Sequence, residues 1–171
     1  YFGGGMSSIV FQELRESKAL AYSVYSTYSI PKDDKDSHYS FSYIGTQADK
    51  LDEAMQGMMA LLQSMPEAES NMKSAKEGVI QKIRTERLTK SKILSEYQKA
   101  EKMGIDYDIR KDVYSAIPEF NMEDLINFHN DFVKNENYTI MVLGDKDALD
   151  MDVLKSYGEV KHLTLEDIFG Y

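Results

Sequence analysis

Residues 1–24 read YFGGGMSSIVFQELRESKALAYSV, and this stretch decides the fold. Its three consecutive glycines free the backbone for a sharp entry into the segment that follows. Apolar residues then recur at close to helical spacing, which predicts an amphipathic helix that begins near Met6, with Ser7 or Ser8 as its cap. The apolar residues expected to face the core are Ile9, Val10, Phe11 and Leu14.

Two segments rich in aromatic residues follow, and both predict β-strands. Residues 21–29 place tyrosines and a valine among serines and a threonine, a composition that favours a strand. Residues 30–37 form a polar turn. Residues 39–44 alternate aromatic side chains with serines, so we expect a second strand that pairs back on the first and ends at Gly45 and Thr46.

The rest of the chain is predicted to be mostly helical. The periodicity of its apolar residues covers six segments, at residues 48–65, 69 to about 88, 89–103, 108–115, 122–133 and 151–157. Pro66 and Gly104 mark helix ends, Asn121 is a helix cap, and strands are expected at 138–143 and 160–163. A hairpin followed by grouped helices predicts an α+β fold, with helices packed on one face of a sheet rich in antiparallel strands.

Composition narrows the classes of function. The 171 residues, 42% of them hydrophobic, suffice for one domain over residues 1–171 with a core of its own. A net charge of -9 argues against binding to nucleic acid and to anionic membranes. The absence of cysteine excludes disulfides and thiolate metal sites, and no apolar run approaches the length of a membrane span. The cellular compartment does not follow from these numbers.

The histidines and charged residues give little indication of a site. His38, His129 and His162 lack the spacing that a zinc site needs, so we expect each to be a surface or structural residue, and no metal ligands are assigned. Carboxylates at Glu13, Glu16, Asp33, Asp34 and Asp36 are typical of solvated surfaces. The basic stretch over residues 82–92 is interpreted as a solvated helix face.

The glycine run Gly3-Gly4-Gly5 has three interpretations. A phosphate-binding loop is the weakest, because neither the Walker Lys-Ser/Thr pair nor a Gly-x-Gly-x-x-Gly pattern accompanies it. The glycines can instead allow close packing and a sharp helix entry. They can also leave the backbone bare where a substrate strand approaches.

Arg15 and Tyr22 are the two residues whose chemistry suits a site. Arginine offers a planar fork of donors and tyrosine a phenol donor, and both groups can bind a carbonyl or a developing oxyanion. They flank a predicted helix-to-strand corner, so their tips can converge. The residues alone favour the alternative, in which Arg15 pairs with a surface carboxylate and Tyr22 packs in the sheet.

Residues 8–24 resemble the signature of the C-terminal half of the pitrilysin/insulysin family, the inverzincin metallopeptidases, and of its mitochondrial processing-peptidase relatives. The shared pattern is a pair of small residues, a hydrophobic helix, Leu-Arg-Glu, and then Leu-(Ala/Gly)-Tyr-(Ser/Ile)-Val. Residues 137–145, NYTIMVLGD, resemble the closing strand of the same domain. The family often has glycine where this chain has Ala19, and a basic residue where it has Ser17.

The resemblance implies an α+β domain of the kind that this family repeats in pairs, with its first strands before Tyr1, so that residues 1–171 are an N-terminally truncated domain. It implies no cofactor in this chain and zinc in a complementary N-terminal half that carries the His-x-x-Glu-His motif. It assigns auxiliary catalytic roles on the scissile carbonyl to Arg15 and Tyr22, and places Gly3, Gly4 and Gly5 near the substrate path. The implied partners are a peptide substrate and the catalytic half or a partner subunit.

Three functions remain open from the sequence. The first is the substrate-binding half of a pitrilysin-type zinc metalloendopeptidase, which encloses and orients peptides for hydrolysis. The second is a non-catalytic peptide-binding or scaffold subunit of an inactive family member, and the third is an unrelated α+β domain. Peptide preference and oligomeric state do not follow from the residues.

Overall fold

The computed structural model describes residues 1–31 and 35–171 and has an α+β fold, as predicted. A π-helix at Phe11–Ser17 precedes two strands, β1 (Ser23–Ser29) and β2 (Tyr39–Gly45), and a 3₁₀ turn at Ala48–Lys50. The α-helices that follow are α1 (Leu51–Gln63), α2 (Glu69–Thr85), α3 (Lys90–Lys102), α4 (Arg110–Ala116), α5 (Met122–Phe132), α6 (Met151–Tyr157) and α7 (Leu165–Phe169). Of the turn predicted at residues 30–37, Lys32, Asp33 and Asp34 lie outside the described residues.

β1 and β2 pair as the predicted antiparallel hairpin. The register runs from Ser23 opposite Gly45 to Ser29 opposite Tyr39. Side chains alternate between two faces, because successive residues of a strand point to opposite sides. Val24 is buried on the inner face, whereas the rings of Tyr25 and Tyr43 stack on the outer face with 5.3 Å between their centroids.

The core joins the π-helix, the hairpin and α1 into one packed unit. Gly57 of α1 makes room for the π-helix, since a Cβ atom there would lie 2.7 Å from Cδ2 of the fully buried Leu14. Because each fully buried apolar side chain stabilises the fold by about 1.5–3 kcal/mol, this unit fixes the position of the segment before β1. The buried residues of the cluster are Ile9, Val10, Leu14, Leu20, Val24, Met58, Leu61, Leu62 and Val133.

Local signals place the later helices as predicted. The Asn121 side chain accepts a hydrogen bond from the Asp124 N–H at 3.2 Å, and the Asp124 carboxylate accepts one from the Asn121 N–H at 2.9 Å. This capping box starts α5. Gly104 adopts a φ of 72° just beyond α3, a conformation that suits glycine at a helix end.

The prediction of strands at residues 138–143 and 160–163 is wrong. Across the described residues the sheet contains β1 and β2 alone, and neither segment joins it. Met141 and Leu143 are 85% and 103% exposed. A strand forms only where a neighbouring strand pairs with its backbone groups, and apolar alternation cannot supply that neighbour.

His129 is a buried structural residue of α5. It is 5% exposed, and its ring centroid lies 5.9 Å from that of Phe2. Within residues 1–31 and 35–171 its Nε2 atom has no hydrogen-bond partner. Burial lowers the pKa of His129 below its ordinary value, Lys134 lowers it further, and a hydrogen bond with the Leu61 backbone acts in the opposite direction.

We therefore expect His129 to make the fold sensitive to mild acid. The unfolded chain takes up a proton on this imidazole near pH 6.5, whereas the folded chain does so only at lower pH. The unfolded state then binds more protons, so the free energy of unfolding falls as the pH drops below about 6.5 toward the folded pKa. Urea unfolding at about pH 7.5 and about pH 5.5 measures this loss, which should be smaller in His129→Leu; an equal loss in both proteins would contradict it.

Candidate functional site

Backbone carbonyls of the first two residues accept hydrogen bonds from the N–H groups at the start of the helix. The Ile9 N–H donates to the Tyr1 carbonyl at 3.1 Å, and the Val10 N–H donates to the Phe2 carbonyl at 3.0 Å. The prediction that Ser7 or Ser8 caps the helix is wrong, because the π-helix has no side-chain cap and the buried Ser8 hydroxyl has no partner among the described residues. The N–H groups of Ile9 and Val10 already donate to backbone carbonyls, so these two donors are not available to a phosphate.

The three glycines occupy different environments. Gly3 packs against the middle of β1, where the Ser26 N–H donates to the Gly3 carbonyl at 3.3 Å. A Cβ atom on Gly3 would lie 2.2 Å from the Ser26 carbonyl oxygen and 2.3 Å from its nitrogen. Gly4 and Gly5 are exposed, and a Cβ atom on either would meet nothing within 4 Å. Gly3 thus serves close packing, while contact of any of the three with a substrate stays a prediction.

A left-handed residue ends the π-helix. Ala19 has a φ of 51°, a region where side chains other than glycine are strained. This turn lets the Leu20 N–H donate to the Leu14 carbonyl at 2.8 Å across the end of the helix. Two side-chain hydrogen bonds also hold this corner, which connects the π-helix to β1. Thr46 Oγ1 donates to the Leu20 carbonyl at 2.6 Å, and Lys50 Nζ donates to the Ala19 carbonyl at 3.2 Å.

Arg15 lies in the last turn of the π-helix, directly before this corner. Its guanidinium carbon lies 4.7 Å from the centroid of the Phe11 ring, a contact that orients the cation. Its Nε is 3.8 Å from the Glu16 carboxylate, and both side chains are substantially exposed, at 40% and 53%. An ion pair this open contributes little, about 0–1 kcal/mol, so the guanidinium stays available to a ligand. Short π-helical segments occur frequently at functional sites.

Tyr22 lies at the other end of the corner, just before β1. Its N–H donates to the Gly45 carbonyl at 2.8 Å, which continues the hairpin by one residue. Its side chain is not packed in the sheet but is 88% exposed. In the described part of the chain the Tyr22 hydroxyl makes no hydrogen bond, and the Tyr22 side chain makes no contact with Arg15. The structure thus presents two exposed donor groups at the two ends of one corner that hydrogen bonds hold together.

The structure assembles no metal site from the residues it describes. Across 1–31 and 35–171, no group of three or more His, Cys, Asp or Glu side chains is placed to hold an ion. None of the helices in the same ranges is both long and apolar enough to cross a membrane. At the corner itself, Arg15 supplies positive charge and a planar set of donors, and Tyr22 supplies a phenol donor.

The comparison with protein families bears on the first part of the chain, which contains the corner. Residues 1–78 match the family model described as Peptidase M16 inactive domain, so this segment is similar to a pitrilysin-type C-terminal domain. The resemblance inferred from residues 8–24 is thereby confirmed. The match covers the glycine run, the π-helix, the hairpin and α1, and it ends within α2. No curated protein compared with the chain matches it.

Proposed function

We propose that this chain is the substrate-binding half of a pitrilysin-type zinc metalloendopeptidase, and that residues 1–171 form a single domain of the C-terminal type. The observation that carries the proposal is the pair Arg15 and Tyr22, exposed at the two ends of a hydrogen-bonded corner inside the segment that matches the family. Hydrogen bonds hold the backbone that carries both donors, and the Phe11 ring orients the Arg15 guanidinium before a ligand arrives.

In this proposal the chain supplies orientation and charge stabilisation. Zinc would be held by ligands of a complementary N-terminal half, where it would supply polarisation of the scissile carbonyl and an activated water. Arg15 binds a peptide carbonyl through its planar donor fork, and the Phe11 ring limits where that fork can lie. The Tyr22 hydroxyl donates a hydrogen bond to the oxyanion that develops as water attacks. In this proposal the metal ligands and the base belong to the other half, in keeping with the lack of a metal-ligand group among residues 1–31 and 35–171.

In this proposal the glycine run forms part of the surface that binds the peptide substrate. Gly4 and Gly5 leave their backbone groups exposed next to the entry of the π-helix. An extended peptide can pair with such backbone groups, as in other cases of strand addition. Gly3 contributes to this surface indirectly, because it packs against Ser26 of β1 and so positions the glycine run.

Replacing Arg15 tests the proposal. In the full protein that contains this chain, Arg15→Lys should lower kcat/KM for a quenched fluorescent peptide about 10- to 100-fold, because lysine keeps the charge but loses the planar fork. Arg84→Lys is the matched control, since Arg84 bonds to the Tyr114 hydroxyl on α4, outside the matched segment. A loss of the same size in both variants would contradict a specific role for Arg15.

The second candidate is a non-catalytic peptide-binding or scaffold subunit. The description of the matched family characterises the domain itself as inactive, which fits this candidate and the first one alike, because both leave the catalytic centre outside this chain. The two candidates differ in the parent protein: a protein of this second kind binds peptides but shows no zinc-dependent hydrolysis. The sequence of the parent protein separates them as well, by the presence or loss of an intact inverted zinc motif.

A further inference from the structure

Helix α3 presents an apolar face that no other part of residues 1–31 and 35–171 covers. None of its thirteen residues is buried. Ile93, Leu94 and Tyr97, here called the α3 stripe, are 55%, 65% and 54% exposed. They lie on one side of the helix, because residues three and four apart are neighbours on a helix surface. A helix of this length is marginal without packing, so the stripe favours a binding partner.

The surroundings of the α3 stripe are basic, in a chain that is acidic overall. Residues 82–102 contain seven Lys or Arg and three Glu, a local charge of +4 against -9 for the whole chain. Lys99 pairs with Glu96 at 2.6 Å. Lys90 and Lys92 are exposed and have no ion pair among the described residues. An apolar face with a basic border fits a partner that is apolar and acidic.

The end of the same chain has that complementary chemistry. Residues 165–171, here called the tail segment, read LEDIFGY and carry two acidic residues and no basic one. Its apolar side chains are exposed, with Leu165 at 72% and Phe169 at 58%. A capping box between Thr164 and Asp167 forms its helical turn in advance, so binding does not have to order it.

We propose that the α3 stripe binds the tail segment of a second copy of this chain. Within one copy both surfaces stay exposed, so they do not cover each other. Two copies related by a twofold axis form the contact twice, since the stripe of each then meets the tail segment of the other. A membrane is the weaker occupant, because the net charge of -9 opposes approach to anionic lipid and Glu96 and Glu101 interrupt the basic border.

Sedimentation velocity of the full chain, at concentrations up to about 100 µM, measures the association. We expect a dimer whose Kd rises at least about tenfold in the variants Leu94→Ser and Phe169→Ser. Met141→Ser is the matched control, because Met141 is 85% exposed and lies outside both surfaces. Circular dichroism confirms that each variant is folded. A monomer at every concentration, or equal weakening in all three variants, would overturn the proposal.

A charge exchange makes the test specific to the two surfaces. Lys92→Glu and Glu166→Lys should each weaken the dimer, and an equimolar mixture of the two should recover it, because both contacts of the mixed dimer then join opposite charges. A photocrosslinker at Tyr97, with one copy labelled by ¹⁵N, should link to residues 165–171 of the other copy. Crosslinks within one copy, no recovery in the mixture, or binding to anionic vesicles without dimer formation would each refute it.

Discussion

Tyr22→Phe in the full protein should lower the turnover number for peptide hydrolysis by about 10²- to 10³-fold, which is the usual effect of losing one donor to an oxyanion. The substitution removes a single hydroxyl from a side chain that is 88% exposed, so the fold should not change. If the hydrogen bond forms mainly in the transition state, kcat falls while the affinity for the peptide stays almost constant. Steady-state kinetics with a quenched fluorescent peptide, combined with inhibitor binding, measure both quantities.

Tyr39→Phe is the matched control for Tyr22. Tyr39 is also an exposed tyrosine of the hairpin, at 59%, but it lies opposite Ser29 at the far end from Tyr22. At about 3.3 Å per residue the two tyrosines are separated by roughly 20 Å. The control should retain its full rate. An unchanged rate in Tyr22→Phe, or a rise in KM alone, would contradict the role of Tyr22 in the transition state.

Gly3→Ala should reduce the free energy of unfolding by about 3 kcal/mol. Its new methyl group would meet the Ser26 backbone at 2.2–2.5 Å, so β1 or the glycine run has to move. Forced overpacking of this kind typically costs about 1–3 kcal/mol, and losing the hydrogen bond from Ser26 to Gly3 adds about 1 kcal/mol. Urea unfolding, followed by circular dichroism, gives the difference.

Gly4→Ala and Gly5→Ala are the controls within the same run. A methyl group on either would project into open space, so stability should stay within about 0.5 kcal/mol of the wild type. If these two variants lower peptide affinity while they retain stability, the result supports the substrate path proposed for the loop. Equal destabilisation by all three substitutions would contradict the packing role of Gly3.

Features set by local sequence were predictable in this chain. The hairpin follows from the alternation of residues 39–44, and α5 follows from the Asn121 cap, because both signals act over a few residues. The π-helix was not predictable, since its apolar spacing also suits an α-helix. The left-handed turn after the π-helix had an indirect signal in the sequence. The family often has glycine at the position of Ala19, and the structure gives Ala19 a φ of 51°, a conformation that suits glycine.

Features set by distant contacts were not predictable. The strand expected at residues 138–143 has the right composition but no neighbouring strand among the described residues. The three glycines are equivalent in the sequence, and only the approach of Ser26 distinguishes Gly3 from the other two. Local chemistry alone favoured a packed Tyr22, whereas the structure exposes it. The roles of Arg15 and Tyr22 rest on the family resemblance, and their exposure supports them.

The most direct test of the account is zinc-dependent peptide hydrolysis by the 171-residue chain, measured alone and after addition of the complementary half. The chain alone should show no cleavage above background at any zinc concentration, because its described residues assemble no metal site. Activity should appear when the complementary half is added. Cleavage by the chain alone that a chelator abolishes would contradict the proposal that Arg15 and Tyr22 assist a metal centre held elsewhere.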